Sequence, residues 1–351
     1  MFNSISFTSL IRVPHQEGAK VNIQRAIINY TLALRAFKNL PLQIHRNIHA
    51  LPHFRNAVVT TGTFDGVHTG HWQIIKQLKE EAAKLNGETV IITFYPHPRK
   101  VISQDGKIQL LNTQQEKIQL LREKGIDHLV IVPFTTTFSE QTPEDYISRF
   151  LVACIKSHCI IIGYDHRFGK DRKGDFNMLE AYGQKLGFLV KEIPEKVLNE
   201  ITVSSTRIRN ALLTGELDTA NKLLGYDYSF EAVVVEGNQL GRKIGYPTAN
   251  LSIIDKDKLV PADGVYAVTA ELEGRMLKGM MSIGVRPTID DSGKRTIEVN
   301  IFDFNENIYN ATLRVYLKSY LRPELKLDGL DALTAQLAED KVNTLKVLKD
   351  L

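Results

Sequence analysis

Residues 61–71 read Thr-Gly-Thr-Phe-Asp-Gly-Val-His-Thr-Gly-His and join two different hydrophobic patterns. Upstream, Ala57-Val58-Val59-Thr60-Thr61 is a short β-branched run suited to a buried strand; downstream, Trp72–Lys79 begins a helix with apolar residues at 74, 75 and 78. A strand, a Gly-bearing turn and a helix N-terminus place backbone N–H groups and the positive helix end where a phosphate chain can sit. His68 and His71 lie three apart, so if both are helical they share one face and reach the same phosphates. A Gly turn before a helix is also ordinary turn chemistry; the two histidines favour the nucleotide reading.

Outward from this loop, residues 43–225 alternate strand and helix. Runs rich in Val and Ile at Ala57–Thr61, Val90–Tyr95, His128–Phe134, Cys159–Gly163 and Phe188–Ile193 predict strands. Trp72–Asn86, Thr113–Lys124, Pro143–Lys156 and Asn177–Leu186 predict helices between them. This order argues for α/β architecture, a parallel doubly wound sheet with right-handed crossovers and its site at the carboxyl ends of the strands. After Gly225 the pattern becomes antiparallel β, with strands expected at Tyr228–Glu236, Gly264–Leu272, Met276–Gly284, Thr296–Phe304 and Ala311–Tyr320. Turns are expected at Glu236-Gly237-Asn238 and Asp291-Ser292-Gly293, the whole forming a small closed β-barrel. A helix over Leu330–Leu351, apolar at 330, 333, 337, 342, 345 and 348, closes the chain. The domain boundary falls near Tyr226, giving 42–225 and 226–351, and without a low-complexity linker the two domains are expected to be directly apposed.

A chain of 351 residues suits two domains. Its net charge of +4 is too small to argue for nucleic acid and suits a small anionic ligand equally well. Cys154 and Cys159 are the only cysteines and have neither disulfide-framework nor zinc spacing, so both read as core thiols. No apolar run approaches the ~18 residues a membrane helix needs, which points to a soluble protein of a reducing compartment, the cytoplasm. Residues 1–41 carry Arg12, Lys20, Arg25, Arg35 and Lys38 against Glu17. That pattern overlaps with organelle-targeting peptides, but the preferred reading is a partly helical extension of unknown role that contributes little to the core.

Other stretches carry chemistry. In Thr93–Arg99, Pro96 and Pro98 flank His97 and rigidify a loop at the sheet's mouth. Gly163–Lys170 mixes aromatic, basic and Gly residues, including Asp165 and Phe168, and reads either as a wall for a planar ring or as a solvated loop. In Val203–Arg209, Ser204 or Ser205 is a natural N-cap, and Arg209 projects from the first turn toward an anion. In the second half, Gly241–Asn250 combines Gly241, Gly245, Arg242 and Lys243 with Thr248 and Asn250 two apart; it lacks the Walker A ending. One hydroxyl, one amide carbonyl and ATP phosphates could suffice for Mg²⁺. Glu298 alternates with apolar Ile297 and Val299, so it points away from them. Alone, it could equally be an exposed strand carboxylate.

Gly62–His71, Thr93–Arg99, Arg167-Phe168-Gly169 and Ser204–Arg209 together resemble the adenylyltransferase half of the bacterial bifunctional riboflavin kinase and FAD synthetase family. Pro247-Thr248-Ala249-Asn250 resembles the riboflavin kinase motif, and Ser282–Thr288 and Leu321–Glu324 also match family stretches. The resemblance runs from about Asn56 to the C-terminus. It implies a Rossmann-like nucleotidyltransferase domain followed by a kinase barrel, converting riboflavin to FMN and FMN to FAD with ATP and Mg²⁺. It implies that His68 and His71 stabilise phosphates in the transition state and that Glu298 is the base for the riboflavin 5′-hydroxyl. Nucleotide contacts are implied at Gly62, Phe64, Asp65, Gly66, Gly70, Ser204, Ser205, Thr206, Arg209, Gly241, Lys243 and Gly245, and metal contacts at Thr248 and Asn250. Flavin contacts are implied at Pro96, His97, Pro98, Asp165, Phe168, Asn300 and Arg322; many relatives carry Asn where this chain has Asp165. The implied partners are riboflavin, FMN and ATP, with no nucleic acid, no membrane and at most weak self-association. The alternatives are a single-activity kinase whose first domain only binds flavin nucleotide, and a flavin sensor acting on RNA or a regulator. Both histidines argue against the former, and the lack of a concentrated basic face against the latter.

Overall fold

The computed structural model describes residues 42–103, 107–193, 203–237, 240–285 and 295–349. The extension 1–41, Asn238, Arg286–Thr288, the turn at 291–293, Leu351 and the Lys243 side chain lie outside the described residues.

The first half is a six-stranded parallel sheet of order β1-β4-β3-β2-β5-β6. Its strands are β1 (Gln43–His45), β2 (Val58–Thr61), β3 (Thr89–Tyr95), β4 (His128–Pro133), β5 (Cys159–Gly163) and β6 (Leu189–Ile193). The runs β2 and β5 are buried because helices cover both sheet faces, the condition that makes parallel strands continuously apolar. The helices are α1 (Thr69–Lys84), α2 (Pro98–Ile102), α3 (Gln114–Glu123), α4 and α5 (Phe176–Leu186). α4 starts as Pro143–Asp145 and continues as a π-helix, Tyr146–Cys154. Strand order reverses at β2, which pairs with β3 on one side and β5 on the other, so the loop at 62–68 leaves the sheet at its topological switch point.

In this half β1, α2 and α4 differ from the sequence expectation. β1 is a short edge strand paired with β4, too brief to give a periodic signal. The proline-rich turn after β3 becomes α2: His97 caps it and Pro98 occupies the first position, where its missing N–H costs nothing. The expected regular helix at Pro143–Lys156 is a π-helix over most of its length.

α6 (Ser205–Leu213) and α7 (Leu217–Leu224) follow. The second half is a closed barrel of order β10-β11-β8-β7-β12-β9. Its strands are β7 (Ser229–Val235), β8 (Ala249–Ile253), β9 (Gly264–Leu272), β10 (Arg275–Val285), β11 (Arg295–Ile301) and β12 (Thr312–Arg322), with α8 (Leu240–Lys243) between β7 and β8. β7 alternates partly exposed and buried residues, the period-2 signature of a barrel wall. The sequence shows 249–253 only as part of a motif; as β8 it pairs with β7 and β11 and closes the barrel. Ile208, Leu212, Ala220 and Leu224 of α6 and α7 share one apolar core with Tyr228, Phe230, Tyr266 and Val315 of the barrel. These two helices precede Tyr226 in sequence yet pack with the second half.

α9 (Gly329–Val347) closes the chain, through only part of the expected face. Leu348 is buried and Leu333 and Leu337 are half-buried, as expected, but Leu330, Val342 and Leu345 are exposed, and Asp340 and Thr344 are buried instead. Arg322 at the end of β12 makes a bidentate pair with Asp340, at 2.9 and 2.7 Å, and that ion pair sets the docked face.

Candidate active sites

The loop after β2 is held in a conformation that side chains rarely adopt. Phe64, Gly66 and Val67 all have positive φ, at 49°, 87° and 34°, and a β-branched Val there is strained. Gly66 is needed, since a Cβ would lie 2.8 Å from Leu111 Cδ1. Buried hydrogen bonds impose this shape. Asp65, 2% exposed, accepts from the Leu111 and Asn112 N–H groups at 2.9 and 3.4 Å and pairs with Arg209 Nη2 at 2.8 Å. Ser205 Oγ donates to the Asp65 carbonyl at 2.8 Å, and the Tyr226 hydroxyl donates to the Gly66 carbonyl at 2.5 Å. Lys117 Nζ and Thr93 Oγ1 both donate to the Thr63 carbonyl, at 2.7 and 3.1 Å. Asp65→Asn leaves Arg209 without its carboxylate and is expected to lower unfolding free energy by about 3 kcal/mol or more, measurable by urea denaturation.

Of the two histidines, only His71 lies on the helix. His68 is the N-cap of α1 and its Nδ1 accepts from the His71 N–H at 3.4 Å. The rings nevertheless stack, with centroids 3.7 Å apart and planes 17° from parallel. Burial pushes the His68 pKa down to about 4 against a backbone hydrogen bond that raises it. Burial, then the neighbouring His68 and Lys117, push His71 well below its ordinary value. Both imidazoles are therefore neutral near pH 7 in the unliganded protein, and His71 Nδ1 is buried with no hydrogen-bond partner among the described residues.

An unfolded histidine titrates near 6.5, so below that pH the unfolded chain takes up protons that buried His68 refuses until about 4. His97 and His166, each pushed to about 4 mainly by burial, act in the same direction. The stability these groups confer is full above about pH 6.5 and is lost as pH falls toward about 4. Denaturation midpoints should fall between about pH 7 and about pH 5, with a shallower slope in His68→Gln.

A cavity of about 920 Å³ opens beside this loop, lined by Gly62, Asp65, His97, Pro98, Asp165, Phe168, Ser204, Ser205, Thr206 and Arg209. Phe64, Gly66, Gly70, His68, His71 and Pro96 are not in its lining; they lie in the loop, in the first turn of α1 or just after β3. Ser204 is the N-cap of α6 and accepts from the Arg207 N–H at 3.2 Å. Arg209 is committed to Asp65 and, through Nε, to the Gln109 carbonyl at 2.8 Å. Opposite stands an aromatic wall: Phe94, Phe134 and Phe138, with Tyr146 stacked on Phe168 at 5.3 Å. The Tyr146 hydroxyl lies 3.2 Å from Thr61 Oγ1, tying α4 to the end of β2.

Sequence reasoning missed Lys117 and Tyr226. Lys117 is fully inside, brought down to about 8 by burial with Asp65 opposing. On a helix pattern it is one cation among several, and no periodicity separates an inward lysine from a solvated one.

The second constellation lies on the barrel. β8 pairs with β11 so that Asn250 is opposite Glu298, and Thr248 Oγ1 donates to Glu298 Oε2 at 2.9 Å. Asn300 Nδ2 donates to the Pro247 carbonyl at 2.7 Å, fixing the Pro-Thr-Ala-Asn turn. A Cβ on Gly237 would fall 2.0 Å from Asn250 Nδ2, so a side chain there would displace that amide. The α8 turn is closed by Tyr246 N–H donating to the Gly241 carbonyl at 2.8 Å and Gly245 N–H to the Arg242 carbonyl at 3.4 Å. Thr248, Asn250, Glu298 and Asn300 are thus brought together, whereas Arg322 is engaged with Asp340. Glu298 also faces Ser282 of β10, whose hydroxyl donates to Glu324 at 2.7 Å.

Residues 51–207 match the FAD synthetase family and residues 224–348 the riboflavin kinase family. A Listeria monocytogenes protein named bifunctional riboflavin kinase/FMN adenylyltransferase is 38% identical over 290 residues, spanning 82% of this chain and 91% of that protein. One of the same name from Escherichia coli K12 is 34% identical over 304 residues, spanning 86% and 96%. A crystal structure from Streptococcus pneumoniae, described as a macrolide-efflux protein, superposes with TM-score 0.76 at 32% identity, covering 87% of this chain and 99% of that one. That description concerns the other protein; what the two share is the fold. Through both of its halves, this chain belongs to the bifunctional riboflavin kinase/FMN adenylyltransferase family.

Proposed function

We propose that this chain makes FAD from riboflavin in two ATP-dependent steps, the barrel forming FMN and the sheet domain adenylylating it, with the division near Tyr226. The observation that carries the reading is the presence of two separate phosphate-handling constellations in one chain: stacked His68 and His71 at the N-terminus of α1, and Thr248 bonded to Glu298 beside Asn250.

In the barrel, Glu298 accepts the proton of the riboflavin 5′-hydroxyl as its oxygen attacks the γ-phosphorus and ADP leaves. Thr248 holds the carboxylate by the 2.9 Å hydrogen bond. The Thr248 hydroxyl and the Asn250 carbonyl are hard oxygen donors that, with ATP phosphates, would hold Mg²⁺. Bound Mg²⁺ supplies neutralisation of phosphate charge. Asn300 keeps this turn in place through the Pro247 carbonyl and, with Arg322, is assigned to the flavin side. Gly241, Lys243 and Gly245 shape the loop over the ATP phosphates.

In the sheet domain, the FMN phosphate attacks the α-phosphorus of ATP and pyrophosphate leaves, with no covalent protein intermediate. The α1 N-terminus and the two imidazoles meet the phosphates, and arrival of that anion raises the depressed histidine pKa values, so positive charge appears where it is needed. Gly62, Phe64, Asp65, Gly66 and Gly70 form the loop, and Ser204, Ser205, Thr206 and Arg209 form the opposite phosphate wall. Pro96, His97, Pro98, Asp165 and Phe168, with the aromatic wall, take the flavin. None of the described helices is long and apolar enough to cross a membrane; a cytoplasmic location is part of this reading.

Incubating the purified chain with riboflavin, ATP and Mg²⁺ and separating flavins by chromatography tests this directly. FMN followed by FAD is expected; FMN alone would remove the second step, and neither product would remove the reading.

A further inference from the structure

The geometry points to Lys258 of the kinase barrel as a positioning residue for the adenylyl-transfer site of the other domain. It rests on the reading of the cavity beside His68 and His71 as that site. Lys258 lies in the connection between β8 and β9, and only 2% of it is exposed. Its ammonium leaves the barrel and donates to the Leu111 carbonyl and to Glu116 Oε2, both at 2.7 Å, while lying 4.4 Å over the Tyr228 ring. The backbone is clamped at the same point: Leu110 N–H donates to the Asp257 carbonyl at 2.6 Å, and Leu259 N–H returns a bond to the Leu110 carbonyl at 2.9 Å.

Both groups that Lys258 holds belong to the nucleotide loop's support. Leu111 gives its carbonyl to Lys258 and its N–H to Asp65, so the two charges grip one peptide segment from opposite sides. Glu116 caps α3 by accepting the Thr113 N–H at 2.9 Å, and the next residue, Lys117, holds the Thr63 carbonyl. Lys258 therefore fixes both ends of the support that keeps Phe64 and Val67 in their strained conformation. The two acceptors of its ammonium both lie outside the barrel, so the kinase constellation at Thr248 and Glu298 does not depend on them.

Lys258→Met should raise the ATP KM of FMN adenylylation about tenfold or more, since misplacing a positioning loop costs up to about 10²-fold. Riboflavin phosphorylation should stay within about twofold. Because the single change leaves Glu116 buried without a cation, Lys258→Met/Glu116→Gln is measured alongside it: glutamine still accepts the Thr113 N–H, so folding recovers while the Leu111 carbonyl stays unheld. Both variants are assayed below their melting temperatures. A raised adenylylation KM in the folded double variant, with phosphorylation intact, supports the inference. An unchanged KM there, or both activities falling in step, overturns it. The wild-type rate of FAD formation from FMN, taken in the same assay, separates failure of the underlying reading from failure of this one.

Discussion

Glu298→Gln is expected to lower riboflavin phosphorylation by about 10²–10⁴-fold, the range removed with a general base, while FAD formation from supplied FMN continues. The change keeps the side-chain volume and keeps an oxygen that can accept from Thr248, so the barrel remains folded and the Pro-Thr-Ala-Asn turn keeps its support from Asn300. What is lost is the proton acceptor for the 5′-hydroxyl. Following both activities in one preparation by flavin chromatography separates this outcome from general damage. If phosphorylation persisted, Glu298 would be a strand carboxylate that merely orders Thr248.

The reciprocal result is expected for His71→Ala. Adenylylation should fall by about 10²–10³-fold, the cost of losing one donor aimed at developing phosphate charge, with FMN formation intact. Removing the ring also leaves His68 without its stacking partner at 3.7 Å and opens space beside Phe64, 4.8 Å from the His71 ring. His71→Gln, which keeps a donor, should recover part of the rate if charge stabilisation is the role. Loss of both activities in a folded His71→Ala protein would contradict the proposed division of labour.

The two histidines illustrate where a sequence stops being legible. Spacing of three residues placed them together, and they are together, but as an N-cap and a first-turn residue whose rings stack. Their neutrality came from burial, which no local pattern reports. Asp65 reads as a nucleotide contact from its place in the motif; in the fold it lines the cavity, and its carboxylate also holds Leu111, Asn112 and Arg209, which no local pattern reports. Arg322 likewise pairs with Asp340, a partner 18 residues away that its motif does not reveal. A charged residue in a motif has the same letter whether it faces a ligand or a buried partner, and only the partner's position decides.

By itself the sequence determined the alternation of strand and helix, the change to antiparallel β after Gly225, the loop at 61–71 and the Pro247–Asn250 motif, because each is a local pattern of period, turn chemistry or motif order. Tertiary structure alone decided which residues of separate segments meet: Lys117 with Thr63, Tyr226 with Gly66, and Lys258 with Leu111 and Glu116. It also decided that α6 and α7 pack on the barrel and that α9 docks through Asp340. Those outcomes depend on burial of charges and on contacts between residues far apart in the chain. Such energies arise only once two surfaces have been brought together.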